Sequence, residues 1–492
     1  MKRIVLLSLF ALIVVGGFRG GTAFAGGTAF AGGPAFASGP ALPGGGLSFQ
    51  IKFSAPLAVF DFVDHLSANA PDNNVKKIYL ASGFNQDKFN RLIAAYDSLN
   101  IDFGYEYTAY PYGQKIGGSS ISLLKKELVN ATDLSDFKTK ALGIIPNTDL
   151  FALYAILTAF EPVYQQLIYL PNKAVFERQL SSVQRLADSA NVAGYFKTGL
   201  TFYHSSWDES IPFQLVFYPL PGAKGFKATA MYNIGICSVP TGLTDFNKLL
   251  SVMIHEMFHI EYDEASLSQK QAIEKWVDDN PSKYSRYAYL LLNEALATAL
   301  GNGYVYGQLQ GKEDTASWYR RKYTNLMAKA IYPVVKSYIV QRRAIDQSFI
   351  DTYIQLYERN FSDWLSEPDN IFTDRYVLSD APSDFSVIDQ NFPYRSMSQY
   401  DNPVSLAGID KMKAAPITKV VIVSKDNPQK LAWLQQTFAE LRDWTPDAHQ
   451  DFTYAVWLSD KTYLLVINEV HKKTAEVIAA LRAGVIHTGV IP

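Results

Sequence analysis

The segment FNKLLSVMIHEMFHIEYD (246–263) limits the possible folds more than any other stretch of this chain. As a helix it carries Leu249, Leu250, Met253, Ile254, Met257, Phe258 and Ile260, too many apolar faces to lie on water. Thr244 or Asp245 is the expected N-cap. Such a helix has to be enclosed, yet its middle holds His255, Glu256 and His259. Polar groups taken into a core need partners there.

Positions i and i+4 lie on one face of a helix, so His255 and His259 can aim two imidazoles at a single point. Zinc binds imidazole nitrogen at about 2.0–2.1 Å, and catalytic zinc sites keep a fourth position open for water. Glu256, one residue along, is placed to hold that water and accept its proton. The plain alternative is a pair of core histidines satisfied by protein partners, with Glu256 solvated. A third ligand separates the two readings. The extended motif with a third histidine fails, because Tyr262 and Ala265 occupy its positions and no histidine follows until His449. The remaining ligand is then a carboxylate. In SRYAYLLLNEALATALGNG (285–303), the stretch from Tyr287 to Leu300 is apolar or small apart from Asn293, Glu294 and Thr298. A carboxylate so placed needs a cation, unless it is simply a surface glutamate on a very hydrophobic helix. Glu261, Asp263 and Glu264 follow His259 too closely and suit supporting positions. Glu274, Asp278 and Asp279 lie in a polar stretch where no cation is needed.

HEMFH, followed by LLNEALAT with its glutamate 35 residues beyond the second histidine, resembles the gluzincin class of zinc metallopeptidases over about 50 residues, 250–300. The resemblance implies Zn2+ held by His255, His259 and Glu294, with Glu256 as general base for a zinc-activated water that hydrolyses peptide bonds. Two positions depart from the class. Many members carry Asp where this chain has Thr298, so another acid or a backbone carbonyl has to support the first histidine. The class also uses a Tyr or His to steady the oxyanion, and Tyr304, Tyr306 and His204 are the candidates here. Members bind peptide along an edge strand, and 226–239 has the right chain order for it; an ordinary core hairpin is the alternative. His65 and His449 have no ligand-like spacing.

The chain has 492 residues, enough for two or three domains. Residues 1–25 read as a signal peptide: Lys2 and Arg3, the apolar run Ile4–Val15, then Ala23-Phe24-Ala25. Twelve residues rise about 18 Å as a helix, short for a bilayer, although an uncleaved anchor is the alternative. Export to the periplasm or medium is the expectation, with no stable membrane span after cleavage. Cleavage there moves the net charge from −2 to −5, and no basic block invites nucleic acid. Cys237 stands alone, a buried structural thiol rather than part of a disulfide framework.

Residues 26–46 are a Gly/Ala-rich spacer, and 47–400 the expected catalytic region. Helical periodicity runs through 85–100, 148–170 and 174–190. Strands are expected at 213–220 and 226–240, joined by the turn PGAKG. Residues 366–416 read as irregular connection, and 415–492 as a small C-terminal α/β domain of order β-α-β-β-α. The expected class is α+β: a mostly helical zincin-like unit with a small antiparallel sheet before the HExxH helix, plus that C-terminal domain. Expected partners are a peptide or protein substrate. The rival reading is a non-catalytic secreted or envelope binding protein with a zinc-stabilised fold.

Overall fold

The computed structural model describes residues 4–7, 47–222 and 227–491. The expected signal peptide and spacer lie outside these residues, except that Ile4–Leu7 runs antiparallel to Met397–Tyr400. The fold is α+β, and no helix among the described residues is long and apolar enough to cross a membrane.

The sheet beside the histidine helix has four strands in the order Phe49–Phe53, Phe213–Leu220, Ile234–Pro240, Ala228–Met231. Its first three strands are parallel, and only the last is antiparallel to its neighbour. The expected antiparallel sheet is therefore corrected. The stretch 226–240 is not one strand. It folds back at Tyr232, whose φ of 56° makes the reversal. Ile234–Pro240 consequently runs parallel to Phe213–Leu220, and Ala228–Met231 becomes the outer edge. The two central strands are apolar and buried along nearly their whole length, as parallel strands covered on both faces must be.

The helical reading of 148–170 and 174–190 is also revised. Asn147–Tyr164, a π-helical turn over Gln165–Tyr169, and Leu170–Ser189 form one continuous helical run. Pro162 and Pro171 both sit inside it, on either side of the π-helical turn, each withholding one N–H from the helical ladder.

The segment 366–416 is not irregular. It contributes Asp374–Ser379 and Met397–Asp401 to a large sheet whose other strands are Ile4–Leu7, Thr418–Val423, Tyr463–Asn468, Phe452–Trp457 and Gly489–Ile491. Four adjacent strands, from Met397–Asp401 across to Tyr463–Asn468, are parallel. Their side chains alternate between two cores. Val420 and Ile422 join the core of the helical body, while Val421 and Val423 meet Ile409, Leu431 and Leu434 on the far side. One face of the sheet is thus part of the main core.

That face fixes the segment leading to Glu294. The Tyr287 hydroxyl hydrogen-bonds Thr418 Oγ1 at 2.8 Å and accepts from the Tyr463 backbone N–H at 3.2 Å. Lys461 donates to the carbonyls of Asp278 and Asn280 and to Ser285 Oγ.

Candidate metal centre

The histidine helix spans Phe246–Asp263, and Asp245 caps it by accepting the Lys248 N–H. It lies against the edge strand Ala228–Met231 and the helix Val192–Tyr203. Gly235 lets the sheet close on it: a Cβ there would stand 2.9 Å from Met253 Cε. The helix is buried on almost every side, which is what its apolar composition required.

Glu294 arrives from Leu292–Ala297, followed without a break by a π-helical segment, Thr298–Val305. The expected single helix over 285–303 is interrupted at Leu291 and widened after Ala297. The widened segment puts Gly301 directly on the histidine helix. A Cβ at Gly301 would lie 2.5 Å from His255 Cβ, 2.7 Å from its Cα and 3.0 Å from its backbone N. No other residue permits that approach, and it brings the segment after Glu294 onto the helix of His255 and His259.

The three expected ligands converge. His255 Nε2 is 3.3 Å from Glu294 Oε1, His259 Nε2 is 3.5 Å from Glu294 Oε2, and the two Nε2 atoms are 3.0 Å apart. Among the described residues this is the one group of three or more His, Cys, Asp or Glu whose ligand atoms all lie within 4.8 Å. His259 Nδ1 donates to Asn293 Oδ1 at 2.9 Å, which turns its Nε2 lone pair towards the cluster. The support for His259 is therefore a side-chain amide, beside Glu294 in sequence, and neither an acid nor a backbone carbonyl. His255 Nδ1 and Thr298 Oγ1 are both buried without a hydrogen-bond partner, so Thr298 does not take up the role of the class's aspartate.

The charges fit a cation. Burial opposes ionisation of Glu294, but the two histidines overcome it and hold the carboxyl well below its ordinary range. Burial likewise lowers His259, and the Glu294 carboxylate outweighs it, raising the imidazole to about 9. Glu256 is shifted the other way: burial raises its carboxyl more than the two histidines lower it. Two nitrogens and one carboxylate are a donor set that zinc accepts, and Glu294 Oε1, buried without a well-formed hydrogen bond, faces His255 Nε2 only at ion-pair distance.

The other acids are engaged or turned away. Asp263 and Glu264 pair with Lys115 at 3.0 and 2.5 Å. Glu274 and Asp278 grip buried Arg286 at 2.7 and 2.5 Å, and Asp279 pairs with Lys275. Glu274 and Asp278 are thus not merely solvated, as their polar setting implied. Glu261 is fully buried, wedged against Gly199 and Phe258, with neither oxygen hydrogen-bonded.

None of the expected oxyanion groups reaches the cluster. Tyr306 donates to Asp245 at the helix start, Tyr304 stacks edge-on with Tyr195, and His204 meets Gln269. Tyr319 does reach it. Its ring lies over the His255 imidazole, 6.2 Å between centroids and 22° from parallel. The Glu294 carboxylate, within hydrogen-bonding reach, and then burial push its hydroxyl far above the ordinary range. Trp318 anchors this loop, packing on Tyr332 and accepting at its carbonyl from Asn302. Nothing in the pattern SWYRRKY distinguishes Tyr319 from the chain's other tyrosines. Cys237 is buried, as expected, and Glu256 is among the groups that raise its thiol after burial itself.

No family model, curated protein or solved structure matches this chain.

Proposed function

We propose that this chain is a zinc-dependent peptidase of gluzincin type. The observation that carries the reading is the convergence of His255, His259 and Glu294, two elements distant in sequence, with Glu256 on the turn between the histidines. His255 and His259 would hold the ion through Nε2 and Glu294 through its carboxylate. Zinc bound there supplies a Lewis acid that makes water acidic and polarises a carbonyl. Glu256 takes the proton of the attacking water, and its raised carboxyl suits it to hand that proton to the leaving amine. Tyr319 donates its hydroxyl towards the oxygen that becomes negative. Among the described residues Ala228–Met231 is an edge strand, and its place alongside the histidine helix supports an extended peptide laid down as an added strand.

Export as a secreted or periplasmic protein is part of the same reading, carried by the sequence of residues 1–25. The test is cleavage of casein and a mixed peptide library by zinc-loaded protein, with and without a chelator. Chelator-sensitive cleavage is expected. Zinc uptake with no cleavage across the panel favours the rival, a binding protein in which zinc only braces the fold.

A further inference from the structure

Two loops flank the metal cluster, and one stretch of chain, 394–399, holds them both. The first is the loop of Tyr319, whose ring covers His255. Arg321 fixes it, donating to the Thr373 hydroxyl and to the Asp369 carbonyl at 3.4 Å, with its guanidinium 5.3 Å from the centroid of Tyr394. The second loop is 106–117. Its ends are closed by a short antiparallel ladder, Gly104–Tyr105 against Gly118–Ser119, which makes it a compact loop with its own anchorage. Near its middle the Tyr112 hydroxyl donates to Gln399 Oε1 at 3.0 Å, and Gly113, at a φ of 71°, lies against the Met397 side chain.

The second loop also grips the histidine helix. The Ile116 N–H donates to Asp263 Oδ1 at 2.5 Å, and Lys115 Nζ reaches Asp263 Oδ2 at 3.0 Å and Glu264 Oε1 at 2.5 Å. The Tyr262 hydroxyl donates to Gln114 Oε1 at 2.8 Å. Asp263 follows His259 by the same four residues that separate His259 from His255, so all three share one face of the helix. The loop is therefore clamped to the face that carries both imidazoles, one turn beyond the second. Between the two loops the cluster is open on one side. Glu294 keeps 33% of its side-chain surface exposed and His259 17%, against 5% for His255. Solvent reaches the cluster beside the clamped loop.

From His255 to Asp263 the helix rises about 12 Å. Extended chain covers about 3.3 Å per residue, so a peptide lying along the helix has room for about three or four residues between Tyr319 and the loop. We propose that loop 106–117 is the end wall of the substrate cleft and restricts this protein to short peptides and to the last few residues of longer ones. This rests on the peptidase reading for its ligand class. The chain end admitted is the amino or the carboxyl terminus.

The probe is the peptide Ala-Phe-Leu-Ala, free or placed at the start, the centre or the end of a flexible Gly/Ser chain of about twenty residues. All forms carry capped termini, so no terminal charge contributes. Binding to the zinc-loaded full chain carrying Glu256→Gln is measured by isothermal titration calorimetry. The free block and at least one end-placed form are expected to bind alike, and the centred form at least about tenfold more weakly. The better of the two end-placed forms assigns the terminus. Replacing 106–117 by Asn-Gly, a turn suited to the directly opposed Tyr105 and Gly118, removes the wall and should bring the centred form level with the others, zinc content unchanged. Lys115→Ala, which keeps the loop and its Ile116 bond, should narrow the difference in part, and it decides the matter if the shortened chain does not fold. Equal binding of all forms, absence of binding included, or a difference that neither variant moves overturns the proposal. End-selective binding by a chain that cleaves nothing leaves the wall standing and removes the peptidase reading instead.

Discussion

Glu256 and Glu294 share one site, yet their surroundings push them in opposite directions. Glu294 faces both imidazoles and stays ionised, as a metal ligand would have to, while burial raises the Glu256 carboxyl above its ordinary range against the pull of the two histidines. Replacing Glu256 by Gln keeps size and both histidines but removes the proton acceptor. Zinc content should be unchanged, and kcat on a cleaved peptide should fall about 10²–10⁴-fold. Tyr319→Phe removes only a hydroxyl from a ring that keeps its place over His255. Its expected effect is a drop of about 10²-fold in kcat with KM nearly constant, because the donor matters when charge develops on the oxygen. A change in KM alone would assign Tyr319 to substrate binding. Glu294→Ala should lose zinc and activity together. Glu274→Ala is the contrasting case. It leaves Arg286 paired with Asp278 alone, so about 1–3 kcal/mol of stability should go while zinc affinity, read by competition with a chromogenic chelator, stays.

At the scale of elements, the π-helical segment Thr298–Val305 sets how closely the helix of Glu294 approaches that of His255 and His259. Its Gly301 lies against the backbone of His255, where no flexible side-chain end can give way. Gly301→Ala must therefore move one helix relative to the other. Such overpacking costs about 1–3 kcal/mol, and here the displacement falls on the proposed ligands. Zinc affinity is expected to fall at least tenfold, together with a lower melting temperature. Gly307→Ala lies on the same run of helix with only ordinary contacts, the nearest at 3.6 Å, and should leave zinc affinity alone. Equal zinc affinity in both variants would show that the helix spacing is set elsewhere.

At the scale of the whole molecule, the large C-terminal sheet is a buttress for the glutamate-bearing segment. Its strands enclose one side of the main core, and Tyr287 ties the segment before Glu294 to two of them. Tyr287→Phe leaves the Tyr463 N–H buried without an acceptor, while Thr418 still donates to the Ile371 carbonyl. A loss of about 1–3 kcal/mol in a chemical-denaturation midpoint is expected. A smaller loss in zinc affinity should accompany it, since the proposed ligands themselves are untouched. An unchanged midpoint would mean that apolar packing alone holds the sheet in place.

Local chemistry made part of this legible in the sequence. His255 and His259 four apart on an apolar helix, and Glu294 in an apolar stretch needing a cation, follow from helix periodicity and the cost of burying charge. The β-α-β-β-α order after 415 follows from alternating hydrophobic periods, and each of its elements is present. What depends on distant partners was not legible. Whether 213–220 and 234–240 run parallel depends on a reversal at Tyr232, a residue type that seldom adopts positive φ. Asp374–Ser379 and Met397–Asp401 lie in a stretch rich in Pro, Ser, Asp and Asn that reads as loop, and only pairing with the later strands makes them a sheet. Asn293 and Tyr319 acquire their roles only because folding sets them against His259 and His255, contacts across 34 and 64 residues that no local pattern encodes.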